Sequence, residues 1–293
     1  MGTRRPTVRG QDSKPGDGAA AALGVVAGVD RIAEIMEPRP VEVRILGRKP
    51  TVEGLTDSAS AKLEAIVVYL TFHRSVSSER FRDEFWPRSN SRAAGDNAIT
   101  KVRALLGDDA NGTARLDSAR NCGTYAVSDE VGMDWHWVEG FVAAAKGAAP
   151  ADAIANLKAA CELIDGHIAA DAPPSAYAWL LREPTIYTLI ETTLVDAAHR
   201  CGELALAAGD CDLARWAARK GLTIVEGQES LYRMRMQAAY EAGDRDGIVQ
   251  AFQEAQRAAG SYGYAEEVQP EAQELFDQLT SSERASARQS IQG

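Results

Sequence analysis

The chain has 293 residues, of which 45% are hydrophobic and 25% are charged, and its formal net charge is −10. This length is too great for one small core and fits two domains with tails, while the composition is that of an ordinary globular protein. The negative total argues against a general nucleic-acid binder, but residues 41–128 have a net charge of +2 and residues 129–280 a net charge of −14. Only the first of these blocks can approach phosphates without strong repulsion.

The first 40 residues are predicted to be a flexible tail rich in Gly, Pro and Arg, with a short helix at about Ala19–Met36. Within it, Ala19–Val29 is apolar but only 11 residues long, which is too short to span a bilayer. This stretch fits a disordered lead-in better than an export signal. We therefore expect a cytoplasmic protein that does not insert into a membrane.

Residues 41–128 follow the element order of a winged helix-turn-helix domain. Alternating apolar residues in Val41–Gly47 predict a half-buried strand, with Thr51–Leu55 as its hairpin partner. Three helices are predicted next, at Ser58–His73, Ser77–Phe85 and Asp96–Leu106, with Ser77 as an N-cap and Gly107 as a stop. A final hairpin is predicted from Arg115–Leu116 and Thr124–Val127.

The third predicted helix has the two faces of a DNA-recognition helix. Ile99, Val102 and Leu106 are expected to face the core, which leaves small polar and basic side chains outward for a major groove. The predicted DNA-binding residues, on this helix, in the loop before it and in the wing, are Arg88, Arg92, Asn97, Thr100, Lys101, Arg103, Arg115 and Arg120. In an alternative interpretation, Lys101 and Arg103 pair with Asp96, Asp108 or Asp109 on a solvated helix.

Three fragments of this block carry recognisable motifs in order. Residues 96–103, Asp-Asn-Ala-Ile-Thr-Lys-Val-Arg, have a hydrophobic-Thr-basic-hydrophobic-Arg core, and residues 76–87 run from Val76-Ser77 to Trp86-Pro87. Gly123-Thr124-Tyr125 precedes Asp134 and Trp137. Together these fragments resemble the winged helix of the SARP antibiotic-regulatory family, which implies a transcription regulator that reads DNA. Ala98 and Ala104 depart from that family's pattern, because larger polar or basic residues commonly project there.

After Asp129 the sequence predicts helices nearly to its end. Gly209-Asp210 and Gly243-Asp244 lie 34 residues apart, which is the period of tetratricopeptide helix pairs. The predicted helices are Trp135–Lys146, Ala151–Ile164, Ser175–Ala208 (interrupted at Pro184), Cys211–Val225, Glu229–Ala242, Arg245–Gly260 and Pro270–Leu279. Residues 134–280 are therefore predicted to be a helical domain, and residues 281–293 a polar, disordered tail.

Residues from about Ala148 to Thr280 carry the motifs of a known helical array. These are Leu163-Ile164-x-Gly166, Trp179, the two Gly-Asp turns, and Tyr264 followed by Glu267 and Pro270. They resemble the bacterial transcriptional activator domain (BTAD), a tetratricopeptide-like array found directly behind this winged helix. The resemblance implies a surface for homodimerisation or for the transcription machinery, and Arg233, Arg235 and Tyr262 are the predicted partner-binding residues.

The sequence contains no motif for catalysis or for nucleotide binding. It has no GxxxxGK[ST] loop and no G-x-S-x-G elbow, and its four histidines form no ligand pair. The four cysteines (Cys122, Cys161, Cys201 and Cys211) include no CxxC pair and are predicted to be free thiols. We expect no enzymatic activity, no cofactor and no metal.

Two functions remain open for the predicted fold, a mainly α chain with a winged helix-turn-helix (α+β) followed by a tetratricopeptide-like array. The first is a DNA-binding transcription regulator, with double-stranded DNA and a second copy or the transcription machinery as partners. The alternative is a protein-interaction scaffold, such as the cytosolic end of a membrane-tethered assembly, whose winged helix no longer reads DNA. A positive stripe across Arg88, Arg92, Lys101 and Arg120 favours the first function.

Overall fold

A computed structural model of the chain describes residues 32–87, 92–117, 123–182, 184–261 and 268–292. Residues 32–35 are helical and lie within the predicted helix near the N-terminus. Behind them an α+β module is followed by helices to residue 292, in the predicted order. The fold is therefore mainly α, as the sequence predicts.

The first module contains short strands around three helices. Its elements are β1 (Val41–Arg44), β2 (Thr51–Glu53), α1 (Ala61–His73), β3 (Ser75–Ser77), α2 (Ser78–Phe85), α3 (Arg92–Leu106), β4 (Leu116–Asp117), β5 (Thr124–Val127) and β6 (Val131–Met133). Ser77 caps α2 as predicted, since its Oγ accepts a hydrogen bond from the Arg80 backbone N at 3.1 Å. Helix α3 begins at Arg92, earlier than the predicted Asp96.

Two three-stranded sheets form within the described residues. The predicted β1–β2 hairpin is antiparallel, and β6 adds to the other edge of β1 as a parallel neighbour, with Val41 opposite Val131. The predicted β4–β5 hairpin is also antiparallel, and β3 pairs with β5 to complete the second sheet. Strands β3 and β6 were not predicted, because three residues carry too little alternation to be recognised without their partners.

The second module is made of helices, with the bounds α4 (Asp134–Ala145), α5 (Pro150–Glu162), α6 (Ala178–Arg182), α7 (Pro184–Ala207), α8 (Cys211–Leu222), α9 (Glu229–Glu241), α10 (Arg245–Ser261) and α11 (Pro270–Gln292). A new helix begins at Pro184, where the ring suits the first helical turn. Helix α11 runs to Gln292, through the segment for which the sequence predicts a tail from residue 281. Residues 281–292 contain no Gly or Pro, so nothing in them ends a helix.

The two Gly-Asp turns have the same geometry, which confirms the 34-residue repeat. Gly209 and Gly243 have φ angles of +78° and +69°, which glycine adopts without the steric cost of a Cβ. Asp210 then caps α8 and Asp244 caps α10, accepting hydrogen bonds from the backbone N of Leu213 and Gly247 at 2.9 Å each. Each glycine therefore ends one helix of a pair and each aspartate begins the next.

One hydrophobic core extends through both modules. Trp179 of α6 packs edge-on against Tyr69 of α1, with ring centroids 5.2 Å apart, and lies 5.9 Å from the Phe72 ring. Trp135 of α4 also stacks on the Phe72 ring, with centroids 6.4 Å apart. The winged helix and the first helices of the array therefore share buried surface, although the sequence predicts them as successive domains.

Asp134 fixes the start of α4 against the end of β1. Its buried carboxylate accepts backbone hydrogen bonds from Ile45, Leu46 and Trp135 at 2.8–3.0 Å. Burial raises the pKa of Asp134 to about 6, although these hydrogen bonds and the positive charge of Arg44 act to lower it. The carboxylate thus joins two segments that lie 89 positions apart in the sequence.

Acidification is expected to loosen the junction between the two modules at His136. The Arg74 guanidinium donates to His136 Nδ1 at 3.0 Å, which leaves Nε2–H to donate to the Phe72 carbonyl oxygen at 3.2 Å. Burial, followed by the Arg74 charge, lowers the pKa of His136 to about 4 from 6.5. Because the folded pKa lies below the unfolded one, His136 lowers the free energy of unfolding as the pH falls from about 6.5 to about 4.

Melting temperatures measured between pH 7 and pH 4.5 test this. His136→Gln, which cannot be protonated, should lose less stability across that range than the parent protein. His167→Gln, at an exposed position, should follow the parent. Equal pH dependence in the parent and His136→Gln would show that His136 does not titrate in this way.

Candidate nucleic-acid interface

Helix α3 has a buried face and an exposed face that divide as predicted. Ile99, Val102 and Leu106 are buried in the winged-helix core. Asn97, Thr100 and Lys101 are exposed, so the described helices of the array do not cover this side of α3. The helix therefore presents small polar and basic groups to solvent from a fixed base, which is the arrangement that major-groove reading requires.

Contacts with α1, α2 and β4 hold α3 in position. Phe81 of α2 is fully buried and packs edge-on against Tyr125 of β5, at 5.4 Å between ring centroids. Gly95 lets α2 approach α3 closely, because a Cβ at that position would lie 3.2 Å from Cγ of Arg82. The orientation of α3 is therefore set by close packing at both the helix-turn-helix and the wing.

The polar side chains of α3 make few contacts within the protein. The Thr100 hydroxyl donates to the Asp96 carbonyl oxygen at 2.8 Å, in its own helix. Between described residues, neither exposed Lys101 nor half-buried Arg103 forms an ion pair with Asp96, Asp108 or Asp109. Asp109 Oδ1 instead accepts from the backbone N of Asn111 and Thr113 at 2.8 Å. No ion pair between described residues therefore supports the alternative in which these three carboxylates neutralise Lys101 and Arg103.

Arg115 has partners inside the winged helix. Its side chain is 15% exposed, and Nε donates to Glu130 Oε2 at 2.9 Å. Its Nη1 donates to the Leu106 carbonyl oxygen at 2.8 Å, at the C-terminal end of α3. Arg115 therefore joins the C-terminal end of α3 to Glu130, and little of its side chain remains available for a ligand.

Several predicted DNA-binding residues lie outside the described structure. Arg88 and Arg120 are not described, and for Arg92 only the backbone is, at the start of α3. Whether a continuous positive stripe forms thus stays a prediction. The structure adds one candidate that the sequence reasoning missed, half-buried Arg82, whose side chain lies over Gly95 near the N-terminal end of α3. The sequence offers one signal for this contact, Gly95, which lies directly before the predicted start of the helix at Asp96.

The predicted partner-binding residues lie in different surroundings. Arg235 is 13% exposed, pairs with Glu254 and lies over the Tyr232 ring at 5.8 Å. It lines a groove of about 760 Å³ between α8, α9 and α10, in which Arg215 also bridges Asp212 and Asp244. Arg233 is half-buried and does not line this groove, and Tyr262 lies outside the described residues.

The order of the two modules defines a class of protein, in which a winged helix is followed directly by a tetratricopeptide-like array. The structure is similar to Mycobacterium tuberculosis EmbR in complex with low affinity phosphopeptide, with a TM-score of 0.58 and 19% sequence identity. The match covers 83% of this chain and 66% of that chain, so this chain spans just under two thirds of the neighbour's length. The likeness shows the fold, and it confirms the predicted order of a winged helix followed by a tetratricopeptide-like helical array.

No protein-family model matches the sequence, and a comparison with curated proteins also gives no match. Across the described ranges, no helix has the length and apolar character needed to cross a membrane. No cluster of three or more His, Cys, Asp or Glu side chains suited to a metal ion occurs in those ranges.

Proposed function

We propose that this chain is a DNA-binding transcription regulator that acts in the cytoplasm without enzymatic activity. The observation that supports this most strongly is the division of α3 into a buried apolar face and an exposed polar face. Its apolar face is fixed in the core, while Asn97, Thr100 and Lys101 are exposed and no described carboxylate pairs with Lys101. A helix with an anchored base and unpaired polar groups is suited to reading base edges.

In this proposal the residues of α3 divide between base edges and phosphates. Asn97, Thr100 and Lys101 face the floor of the major groove, where an amide can recognise adenine and an ammonium can recognise guanine. Arg103 at the side of α3 and Arg82 on the neighbouring α2 are both half-buried, and they contact the phosphates that flank the groove. Arg88, Arg92 and Arg120, which the sequence predicts as DNA contacts, supply further phosphate contacts in this proposal.

The helical array supplies dimerisation or a contact with the transcription machinery. The net charge of −14 over residues 129–280 repels DNA, which favours protein partners with basic surfaces for this part. The winged helix carries only +2, so one copy is expected to bind DNA weakly. Pairing of two copies raises the effective concentration of the second winged helix and brings the affinity into a useful range. Arg233, Arg235 and Tyr262 remain the candidate partner contacts.

Binding of the full chain to a random-sequence duplex, followed by fluorescence anisotropy at about 50 mM and about 200 mM salt, tests the proposal. We expect binding at the lower salt concentration and a loss of roughly 100-fold or more at the higher one, because several phosphate contacts release counterions. The same protein can then select its preferred duplexes from a random pool.

A specific outcome would favour the scaffold function instead. If the folded chain binds no duplex at about 50 mM salt and about 100 μM protein, the proposal fails, since even non-specific binding normally appears in that range. Binding that does not depend on salt would contradict phosphate contact by α3 and its flanking arginines.

A further inference from the structure

An apolar groove is open on the surface of the array, between the C-terminal end of α4, the first half of α5 and the second half of α7. Its volume is about 680 Å³, and three exposed charged residues, Lys146, Asp196 and Arg200, take part in its lining. The apolar side chains that line it are Val142, Ala145, Ala153, Leu157, Ala197 and Leu204. A segment that covers this groove would remove hydrophobic surface from water and stabilise the protein.

The first described residues run along α4 towards this groove. A Cβ added to Gly132, just before α4, would lie 2.9 Å from Cγ of Arg39. A Cβ added to Gly140, in the middle of α4, would lie 3.2 Å from Cγ2 of Ile35. From Arg39 back to Ile35 the chain therefore moves towards the C-terminal end of α4, which forms one wall of the groove. Ile32, at the start of the same helical turn, also packs against the core.

The sequence before Ile32 supplies a segment of the right length and chemistry. Ala19–Val29 contains 11 apolar residues and no charged one, and Asp30 follows it. In a helix, the six positions from Ile35 back to Val29 span about 9 Å. The six positions from Gly140 to Lys146 along α4 span about the same length. A helix that continues from the first described turn therefore brings Val29 level with the groove, and Asp30 level with the ammonium of Lys146.

Helical spacing also selects the side of this segment that faces the array. Val29 and Val25 lie three and seven positions before Ile32, so all three share one helix face. Leu23 lies nine positions before Ile32, which puts it on the opposite face. Three of the six apolar residues that line the groove are alanines, and small side chains allow a helix to approach closely.

We propose that the groove between α4, α5 and α7 is the docking site for this chain's own N-terminal segment, in which Ala19–Val29 lies as a helix. Val25 and Val29 enter the groove, and the Asp30 carboxylate lies near the Lys146 ammonium. Because the segment carries no charge, its burial requires no desolvation of an ionised side chain.

Docking of this segment links the two modules at a second place. The chain continues from Arg39 into β1, which begins at Val41 in the winged helix. A segment held by α5 and α7 therefore ties the first strand of the winged helix to the array. The groove lies apart from the exposed face of α3 and from the groove that Arg235 lines, so this inference does not depend on DNA binding.

Hydrogen–deuterium exchange of the full-length protein tests the docking. Val25→Asp should speed exchange of the amides in residues 142–157 and 193–204 by about 10-fold or more, because a carboxylate at this position opposes burial of the segment. Leu23→Asp adds the same charge to the opposite face and should leave these amides at the parental rate. Both positions lie before the first described residue, so neither variant removes a contact of the described fold. Parental rates in Val25→Asp, or equal acceleration in both variants, would overturn the proposal.

Photo-cross-linking identifies the occupant of the groove directly. Ala22→p-benzoylphenylalanine places a photoreactive side chain one helical turn before Val25. Isotope-labelled and unlabelled full-length chains are mixed in equal amounts and illuminated, and the cross-linked peptides are identified by mass spectrometry. We expect cross-links from position 22 to α4, α5 or α7 within chains of one isotope composition. Cross-links between labelled and unlabelled chains would assign the groove to a second copy. That result, or a cross-link that reaches none of these three helices, would contradict docking within the chain.

Discussion

Replacing both Lys101 and Arg103 by alanine is expected to weaken duplex DNA binding by about 100-fold or more, with little change in thermal stability. Loss of a base or phosphate contact typically costs about 1–3 kcal/mol, and two such losses on one helix accumulate. Neither side chain forms an ion pair with another described residue, so few interactions within the protein disappear. Anisotropy titrations at low salt, together with melting curves of the same preparations, measure both quantities.

The control for this variant removes the same amount of charge from the helical array. Lys146 follows α4 and Arg219 lies on α8, and both are exposed. Lys146→Ala/Arg219→Ala should leave duplex affinity within a few-fold of the parent protein. Equal losses in the two double variants would show that overall charge, and not α3, governs binding. Parental affinity in the α3 variant would show that α3 does not contact DNA.

Trp179→Ala is expected to lower the free energy of unfolding by about 3–5 kcal/mol, which is the range for truncating a large buried aromatic residue. Trp179 is 1% exposed, and its ring lies between array and winged helix, against Tyr69 and Phe72 of α1. The cavity would therefore open at the shared core and destabilise both modules together. Urea unfolding, followed by circular dichroism and tryptophan fluorescence, should show one transition moved to lower denaturant.

Trp216→Ala provides the comparison, because Trp216 is only half-buried and packs at the margin of the core. Trp216→Ala should lower the free energy of unfolding clearly less than Trp179→Ala and leave the junction between the modules intact. A loss in Trp179→Ala no larger than in Trp216→Ala would mean that the junction contributes little to stability. Two separate transitions in the parent protein would show that the modules fold independently, contrary to their shared core.

Local patterns in the sequence predicted most of the helices and both hairpins correctly. The apolar spacing of Ile99, Val102 and Leu106 is a property of eight consecutive residues, so it indicated the buried face of α3 without any knowledge of its neighbours. The Gly-Asp turns and the Ser77 cap are likewise recognisable from a few adjacent residues. Hydrogen bonds and backbone angles at these positions in the structure agree with the predicted roles.

Residues whose partners are distant in sequence could not be assigned in this way. Arg115 looked like a wing arginine that faces DNA, but its guanidinium binds Glu130 and the end of α3. Asp134 was noted only as part of a junction motif, and its hydrogen bonds from the backbone N of Ile45 and Leu46 depend on the segment just after β1. Strand β6 became recognisable only beside β1. Each of these cases depends on a contact that chain folding creates.

The sequence by itself determined the approximate positions of most helices, which of their faces are apolar, and the 34-residue repeat of the array. Those features follow from the spacing of side chains along a regular backbone, which short-range sterics and hydrogen bonding dictate. Only the tertiary structure decided that Trp179 joins the array to α1, that Arg115 braces α3, and that Asp134 binds the segment after β1. Packing selects such pairs by shape and burial. Residues far apart in the chain share no local pattern from which their contact can be predicted.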